Sequence, residues 1–391
     1  MSRAFEGLKV LDATHVLAGP YCGYQLALMG ADTIKIEPPD DTDPVRGRGP
    51  VPGLNAAGMG FNYLLQNGNK RAITLNLKSA DGQAIFKRLA ADADVVIENF
   101  RTGAFGKIGL GYEDIRAINP DVIYCSITAF GKDGPNAERT GYDPLIQGMS
   151  GVMHATGYNA RGPMKAGAPF IDYASGMSAA FAVASALFQR ERTGEGQCIN
   201  VSMLDIALVM HGPAAVAEGY AGEKVKLPVE AGTDCYKTKD GFLQLGAYNF
   251  RQNKRLWNAL GVPEFAAFTT WPQMWDNAPR MRAKLEEILP TRTADEWEQF
   301  FTAHAVPAGR VRSLKEALAM DHVQACAFMQ ELPEIDGVKG IRVPTAPFTL
   351  AHDGPALTAL PPRHGEHTDE ILRAAGYDAD DIARFRAGGV I

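Results

Sequence analysis

The chain has 391 residues and a formal net charge of −6, and 46% of its residues are hydrophobic. This length is enough for a large core and for more than one domain. The acidic balance argues against nucleic acid as the main partner, because binding a phosphate backbone needs a basic face. No uncharged apolar run reaches the roughly 20 residues of a membrane helix, and the first residues lack the apolar stretch of a signal peptide. We therefore expect a cytoplasmic protein without a membrane segment.

No motif indicates a metal or a tightly bound cofactor. The five cysteines are scattered without paired metal-ligand spacing, which favours reduced thiols. His364 and His367 have no further Cys or His nearby to complete a metal site, so a loop with Thr368 opening the last helix is favoured. The glycines of residues 103–109 lack the spacing of a dinucleotide-binding loop, and no serine lies in a Gly-x-Ser-x-Gly motif.

Alternating strand and helix patterns in the first part of the chain predict an α/β protein with a parallel sheet. Strand patterns occur at residues 8–12, 31–37, 72–77, 94–98 and 122–127, and helical patterns at 21–29, 80–91 and 112–118. Ligands of open parallel sheets bind at the carboxyl ends of the strands. Three loops follow those ends, at residues 13–20, 99–109 and 129–142.

The second half changes in composition near residue 220. Before it, the patterns predict a helix over residues 177–192, a strand over 198–202 and a helix from Met203. After it, residues 224–329 carry all four tryptophans and amphipathic helical patterns. These features predict a second, smaller domain over residues 221–329. Short strands are expected within residues 336–348, and a helical pair within 368–388.

Asp172 is the only charged residue between Lys165 and Arg190. A carboxylate in apolar surroundings loses several kcal/mol of solvation, on the order estimated for buried charges, unless donors or a helix N-terminus compensate. One interpretation is structural: Asp172 caps the N-terminus of a helix that begins near Met177. The other is chemical, with Asp172 as a functional carboxylate. The local pattern leaves both open.

Six segments in the same order along the chain resemble the family III coenzyme A transferases, the group that includes formyl-CoA transferase and the carnitine CoA-transferases. The segments are residues 7–20 (GLKVLDATHVLAGP), 28–39 (LMGADTIKIEPP), 69–78 (NKRAITLNLK), 98–103 (ENFRTG), 192–197 (RTGEGQ) and 365–372 (GEHTDEIL). The resemblance therefore spans nearly the whole chain.

This resemblance implies that Asp172 is a nucleophile, which becomes an acyl anhydride and then an aspartyl-CoA thioester. It also implies a substrate-binding role for Tyr142, Gly246 and Ala247. The implied CoA-binding positions are Val16, Leu17, Ala18, Leu75, Lys78, Asn99, Phe100, Arg101 and Lys107. Coenzyme A is then a substrate, with a small carboxylic acid as the second substrate. The N–H groups of Ser175 and Gly176 would stabilise developing charge if they begin a helix.

Two positions depart from the family pattern. Formyl-CoA transferase has a CoA-contacting arginine where this chain has Pro38, so that contact is absent or comes from elsewhere, for example Arg46. The loop that covers the oxalate-using site is glycine-rich, whereas residues 245–250 here hold a single glycine, which makes oxalate and formate poor substrate candidates. Arg46, Arg251 and Lys254 are candidates for a second carboxylate, with surface solvation as the alternative for each.

The family fold implies a Rossmann-like large domain built from both chain ends, residues 1–220 and 330–391, with the small domain between them. It also implies a homodimer of interlocked rings.

Two other functions are weighed against CoA transfer. One is an α-methylacyl-CoA racemase. Racemases of this fold use a histidine as the second proton carrier, and this chain has Tyr142 at that position. The other is a catalytically silent acyl-CoA-binding protein, against which the intact Asp172 argues.

Overall fold

The structure is a computed structural model that describes residues 3–156, 162–220, 222, 230–326 and 328–391. Its strands are β1 (Lys9–Ala13), β2 (Asp32–Glu37), β3 (Lys70–Thr74), β4 (Val95–Glu98), β5 (Ile123–Thr128), β6 (Gln197–Ser202), β7 (Cys235–Lys237), β8 (Phe242–Leu245), β9 (Ala308–Arg310), β10 (Met329–Glu331) and β11 (Arg342–Pro344). The chain divides into a larger unit, residues 1–219 with 327–391, and a smaller unit, residues 220–326.

The larger unit has these helices before the smaller unit begins in the chain: α1 (Ala18–Leu28), α2 (Pro52–Ala56), α3 (Phe61–Leu64), α4 (Ala80–Ala90), α5 (Ala104–Lys107), α6 (Tyr112–Arg116), α7 (Asp143–Met149), α8 (Val152–Ala155), α9 (Phe170–Thr193), α10 (Met203–Met210) and α11 (Gly212–Gly219). The smaller unit contains α12 (Phe250–Ala259), α13 (Pro263–Ala266), α14 (Trp271–Asp276), α15 (Ala278–Ile288), α16 (Ala294–Ala303), α17 (Leu314–Leu318) and α18 (Asp321–Ala325). Helices α19 (Thr368–Ala374) and α20 (Ala379–Ala387) return to the larger unit.

Six parallel strands form the central sheet in the order β3-β2-β1-β4-β5-β6. The predicted α/β class with a parallel sheet is confirmed. Strand β4 is buried along its whole length, as expected for a strand that is covered on both faces. The strand order reverses between β1 and β4, and at such a point the two outgoing chains separate and leave a crevice. The loops after β1 and β4 therefore face each other across a natural ligand site.

Helices cover both faces of this sheet. One face packs against α4, α6, α19 and α20, through core residues that include Phe86, Ile115, Ile371 and Phe385. The opposite face packs against α1 and α9, through core residues that include Leu26, Ala179 and Val183. The C-terminal helical pair thus completes the core of the larger unit.

The smaller unit is built separately around a three-stranded antiparallel sheet, β7-β8-β9. Trp257 is fully buried and Trp297 is nearly so, and both belong to the core of this unit. Trp275 is partly exposed beside Trp271, with the two rings stacked at 6.0 Å between centroids. The aromatic content that marked this region in the sequence is therefore mostly used for packing.

Helix α9 begins at Phe170, which is seven residues before the predicted start near Met177. Asp172 is thus in the first turn of the helix, and the N-cap position belongs to Pro169. The interpretation of Asp172 as a residue preceding the helix is wrong. The N–H groups of Ser175 and Gly176 lie beyond the first turn, where helical bonds use them, so they do not form an anion site.

Helix α9 is long and apolar enough to cross a membrane when judged by length and composition only. Core helices meet the same criteria, and the residues of α9 that include Ile171, Ala179 and Val183 are buried against the rest of the larger unit. The opposite face exposes Met177, Phe181 and Phe188.

Gly176 lets helices α1 and α9 cross at close range. A Cβ atom on Gly176 would lie 2.6 Å from the carbonyl oxygen of Ala18 and 3.1 Å from the ring of Tyr21. Distances below 3.0 Å to backbone atoms require the backbone to move. Since Ala18 begins α1 and Gly176 lies one turn after Asp172, this crossing sets the distance between the first turns of both helices.

We expect Gly176→Ala to lower the free energy of unfolding by about 1–3 kcal/mol, because the added methyl group forces the two helices apart. CoA-transfer activity should fall by more than the folded fraction does, since the first turns of both helices shift. Urea unfolding and an exchange assay measure the two effects.

Gly148→Ala is the matched control, since the nearest atom to its added Cβ is the Met153 sulfur at 3.6 Å, an ordinary contact. This helical variant should be neutral or slightly stabilised. Equal behaviour of the two variants would contradict the importance of the crossing.

Candidate active site

A cavity of about 270 Å³ lies at the carboxyl ends of β1, β4 and β5, where the strand order reverses. All three loops that the sequence pointed to contribute to its walls, together with the first turn of α9 and the start of α10. The predicted site residues that line it are Val16, Leu17, Ala18, Asn99, Phe100, Arg101, Tyr142 and Asp172. The fold therefore gathers residues from positions 15 to 203 of the chain into one crevice.

The loop after β1 is held in a strained conformation by buried polar groups. Val16 has a φ of 69°, a left-handed conformation that is unfavourable for a β-branched residue. Its N–H donates to Asp43 Oδ1 at 3.1 Å, and its carbonyl oxygen accepts from Gln66 Nε2 at 2.5 Å. The other oxygen of Asp43 accepts from Lys35 Nζ at 3.0 Å, and both of these charged side chains are fully buried. Residues remote in sequence thus fix the cavity wall.

The N-terminus of α1 offers hydrogen-bond donors at the cavity. Helix α1 begins at Ala18, and its N-cap, Leu17, provides no side-chain cap. Within the described part of the chain, no acceptor is bonded to the N–H groups of Ala18 and Gly19. Unbonded N–H groups and the helix dipole together favour negative charge at this end of a helix. This end of the cavity is therefore suited to an anion.

Asn99 joins the two loops on either side of the crevice. Its side-chain oxygen accepts from the N–H of His15 at 2.9 Å, and its side-chain nitrogen donates to the carbonyl oxygen of His15 at 2.8 Å. The ring of His15 lies 5.2 Å from that of Phe100. Burial lowers the pKa of His15, so this ring is neutral near pH 7. Both polar groups of the Asn99 side chain therefore hold the loop after β1 in place at the cavity wall.

The carboxylate of Asp172 is buried but unpartnered. The residue is only 8% exposed, yet it lines the cavity. Among the described residues, none donates a hydrogen bond to either of its carboxylate oxygens or forms an ion pair with it. Burial, followed by the nearby charge of Asp143, raises the pKa of Asp172 to about 7. A carboxylate of this kind is unusually basic and is available to a ligand.

Asp143 caps the helix that carries Asp172. Its Oδ2 accepts from the N–H of Ile171 at 2.9 Å and, more weakly, from the N–H of Asp172 at 3.4 Å. Its Oδ1 accepts from Gln147 Nε2 at 2.6 Å. Asp143 is 2% exposed, so these contacts replace the water that its charge would otherwise bind. The cap of α9 comes from another helix, α7.

The remaining predicted positions lie outside this cavity. Leu75 is fully buried in the core, whereas Lys78 and Lys107 are exposed. Gly246 and Ala247 belong to the smaller unit, where their N–H groups donate to the carbonyl oxygens of Pro307 and Gly232. Contacts of these five positions with a substrate stay predictions.

Arg46 is not available for a ligand. Its guanidinium group donates to both oxygens of Glu37, at 2.8 and 2.6 Å, and to the hydroxyl of Tyr63 at 2.7 Å. Arg46 is 2% exposed. The suggestion that Arg46 replaces the arginine missing at Pro38, or binds a second carboxylate, is therefore wrong. Arg251 and Lys254 are exposed on α12 of the smaller unit.

Sequence reasoning missed a second cationic residue of the cavity. Arg139 lines it together with Arg101, and the guanidinium carbon of Arg139 lies 5.6 Å from the ring centroid of Phe130. Neither arginine forms an ion pair with another described residue. The loop of residues 129–142 was already a predicted ligand loop, so a cation within it was the signal that could have revealed Arg139. His15 lines the cavity as well and lies in the predicted loop of residues 13–20, whereas Met203 lies outside the three loops and had no such signal.

The described residues contain no group of three or more His, Cys, Asp or Glu side chains placed to hold a metal ion. The fold and cavity together are those of an α/β enzyme with a carboxylate at the reversal of a parallel sheet. The profile of CoA-transferase family III matches residues 5–368, and the chain belongs to that family.

Named relatives and a solved structure agree with this assignment. A succinate–glutarate CoA-transferase of Agrobacterium fabrum is 37% identical, with 94% of each chain covered. The human succinyl-CoA:glutarate CoA-transferase is 33% identical over 100% of this chain and 90% of its own length. A crystal structure of a CaiB/BaiF family protein from Brucella suis, 32% identical, superposes with a TM-score of 0.79 and covers 96% of this chain and 100% of that one. The protein is an acyl-CoA:carboxylate CoA-transferase.

We expect Asp172→Asn to stabilise the protein more at pH 8 than at pH 5. The raised pKa, about 7 against an ordinary 3.8, means that the folded state resists ionisation of Asp172. Stability linked to this group is present below the unfolded pKa and is lost as pH rises through about 7. The stability that the folded wild type loses in this way is about 4 kcal/mol at pH 8 and roughly 1.5 kcal/mol at pH 5.

Chemical unfolding at the two pH values measures this difference. Asp133→Asn, in an exposed loop, is the control and should change stability little at either pH. A destabilised Asp172→Asn variant at pH 8 would contradict the description of Asp172 as a strained, unpartnered carboxylate.

Proposed function

We propose that Asp172 carries out CoA transfer as a covalent nucleophile. The observation that supports this most is that its buried carboxylate has no partner among the described residues and borders a cavity at the sheet reversal. A structural carboxylate would instead be paired or hydrogen-bonded, as Asp43 and Glu37 are.

The reaction begins when an Asp172 carboxylate oxygen attacks the thioester carbonyl carbon of the donor acyl-CoA. The carbon–sulfur bond breaks, CoA thiolate leaves, and an acyl-aspartyl anhydride forms. The thiolate then attacks the carboxyl carbon of Asp172, the donor acid leaves as a carboxylate, and an aspartyl-CoA thioester remains. The acceptor carboxylate attacks this thioester and releases the thiolate, and the thiolate attacks the acceptor acyl carbon. The products are the new acyl-CoA and the free Asp172 carboxylate.

The surroundings of Asp172 suit this chemistry in two respects. Burial excludes water, which would hydrolyse either intermediate, and keeps the carboxylate basic. The N–H group of Ala18 lines the cavity and has no acceptor among the described residues, so it takes over in this proposal the charge-stabilising role first expected of Ser175 and Gly176. Val16, Leu17, Ala18, Asn99, Phe100 and Arg101 form the CoA-binding wall in this proposal, with the exposed Lys78 and Lys107 as outer contacts. Leu75 is fully buried, so its part in this proposal is limited to packing behind that wall.

Incubation with a donor acyl-CoA and hydroxylamine should convert Asp172 into a hydroxamate that peptide mass spectrometry detects. Asp172→Asn should lose labelling and lose at least about a thousand-fold in exchange rate, as expected when a covalent nucleophile is removed. The Asp133→Asn protein, changed in an exposed loop, is the control and should keep both. Normal CoA transfer by Asp172→Asn would contradict the proposed mechanism.

The rate should also rise with pH through about 7, because only the ionised form of Asp172 attacks the thioester. The racemase alternative predicts a different result, namely exchange of the α-proton of a 2-methylacyl-CoA with deuterated solvent without an acceptor acid. Tyr142, which lines the cavity and is 54% exposed, occupies the position where a racemase needs histidine. A silent acyl-CoA-binding protein would show neither labelling nor exchange.

Dicarboxylic acids are the substrate class that we propose. The related enzymes from Agrobacterium fabrum and human are named for succinate and glutarate. In this chain, Arg101 and Arg139 bring two guanidinium groups without an ion pair among the described residues to the cavity that holds Asp172. Guanidinium groups bind carboxylates in a bidentate manner. One arginine can therefore hold the distal carboxylate while the proximal one reacts at Asp172.

Arg139→Gln should raise KM for glutarate about ten-fold or more, with a smaller effect on valerate, which lacks the distal carboxylate. Lys132→Gln is the control, because Lys132 is exposed outside this cavity. If Arg139→Gln instead raises KM for the acyl-CoA equally with either acceptor acid, Arg139 binds the CoA phosphates and not the acceptor.

The homodimer implied by the family stays a proposal, and an exposed apolar surface supports it. Helix α9 exposes Met177, Phe181 and Phe188, and α10 exposes Val209 and Met210. Apolar patches of this extent on a soluble protein commonly mark an interface. We propose that a second copy of the chain covers these residues in an interlocked dimer.

A further inference from the structure

The first turn of α9 presents an unusual arrangement of charge. An aspartate in the first turn of a helix is ordinarily stabilised as the anion by free N–H groups and by the helix dipole. In α9, a second carboxylate occupies that position, because Asp143 accepts the N–H groups of Ile171 and Asp172. Asp172 is thus left with a like charge beside it, and that charge already binds two N–H groups of the first turn.

We propose that Asp143 is a positioning residue, which orients the first turn of α9 and keeps the Asp172 carboxylate reactive by taking the donors that would otherwise stabilise it. The proposal rests on the nucleophilic role of Asp172. Asp143 itself need not touch the substrate, since it does not line the cavity. It acts through the backbone of Ile171 and Asp172 and through its charge.

Gln147 holds Asp143 in this orientation. Its side-chain nitrogen donates to Asp143 Oδ1 at 2.6 Å, and its side-chain oxygen accepts from the N–H of Ala166 at 2.9 Å. Both Gln147 and Asp143 are buried on α7. Helix α7 therefore positions both the segment that leads into α9, through Gln147, and the first turn of α9, through Asp143. It also places the charge of Asp143 beside Asp172.

Other ionisable groups also face Asp172 and have to be separated from the effect of Asp143. His15, Arg101, Arg139 and Tyr142 line the same cavity, from the loops after β1, β4 and β5. On the packed helices, Tyr21 of α1 and Tyr173 of α9 are in ring contact at 4.9 Å. Burial is the larger cause of the raised pKa of Asp172, and the charge of Asp143 adds to it in the same direction.

The test is the pH profile of Asp143→Asn. Asparagine keeps an acceptor for the N–H of Ile171 and removes the charge. The acid limb of kcat/KM should then move to lower pH, so that near pH 5.5 the variant keeps a several-fold larger fraction of its plateau rate than the wild type does. The plateau kcat should fall, because the carboxylate of Asp172 becomes a weaker nucleophile, while KM for the acyl-CoA stays unchanged.

Asp378→Asn is the matched control. Asp378 caps α20 through the N–H of Asp381 at 2.9 Å and does not line the cavity, so its variant should keep the wild-type pH profile. Asp143→Ala, which removes the cap as well, should lower both kcat and the melting temperature.

Hydroxylamine labelling of Asp172 in the wild type separates this inference from the proposed function. If the wild type is labelled at Asp172 and the acid limb of Asp143→Asn coincides with the wild-type limb, Asp143 is only a structural cap and the inference is wrong. If the wild type is not labelled, the nucleophilic role of Asp172 fails, and the role of Asp143 fails with it.

Discussion

The close crossing of α1 and α9 at Gly176 is the constraint on which the site depends. The sheet places the loop after β1, whereas Asp172 lies on a helix from a distant part of the chain. Only a residue without a Cβ allows the carbonyl oxygen of Ala18 to approach this closely. As a consequence, the donors at the N-terminus of α1 and the carboxylate of Asp172 border the same cavity.

Buried ion pairs give the rest of the cavity its shape. Asp43 with Lys35 holds Val16 in its strained conformation, and Glu37 with Arg46 fixes the neighbouring chain. Such pairs contribute little net stability, because desolvation offsets most of their attraction. Here they provide geometry, since they place backbone groups of a loop that could not hold this conformation by itself.

The two carboxylates near the start of α9 differ in what satisfies them. Asp143 is hydrogen-bonded by backbone and side-chain donors, whereas Asp172 has none from the described residues. The unsatisfied charge costs stability in the folded protein, and in the proposed mechanism it is what makes the carboxylate reactive. Under that proposal, stability and reactivity are opposed at Asp172.

The sequence by itself determined the parallel α/β class, most element positions and the three loops at the strand ends, because these follow from local periodicity and strand polarity. The isolated charge and the family motifs singled out Asp172 as the candidate nucleophile. Tertiary structure decided where α9 begins. Pro169, the N-cap residue of α9, provides no side-chain cap, and the cap comes from Asp143, which lies 28 positions earlier than Ile171. Tertiary structure also decided that Arg46 forms an ion pair with Glu37 and that Arg139 lines the cavity. Partners of this kind depend on distances between elements, which a one-dimensional pattern does not contain.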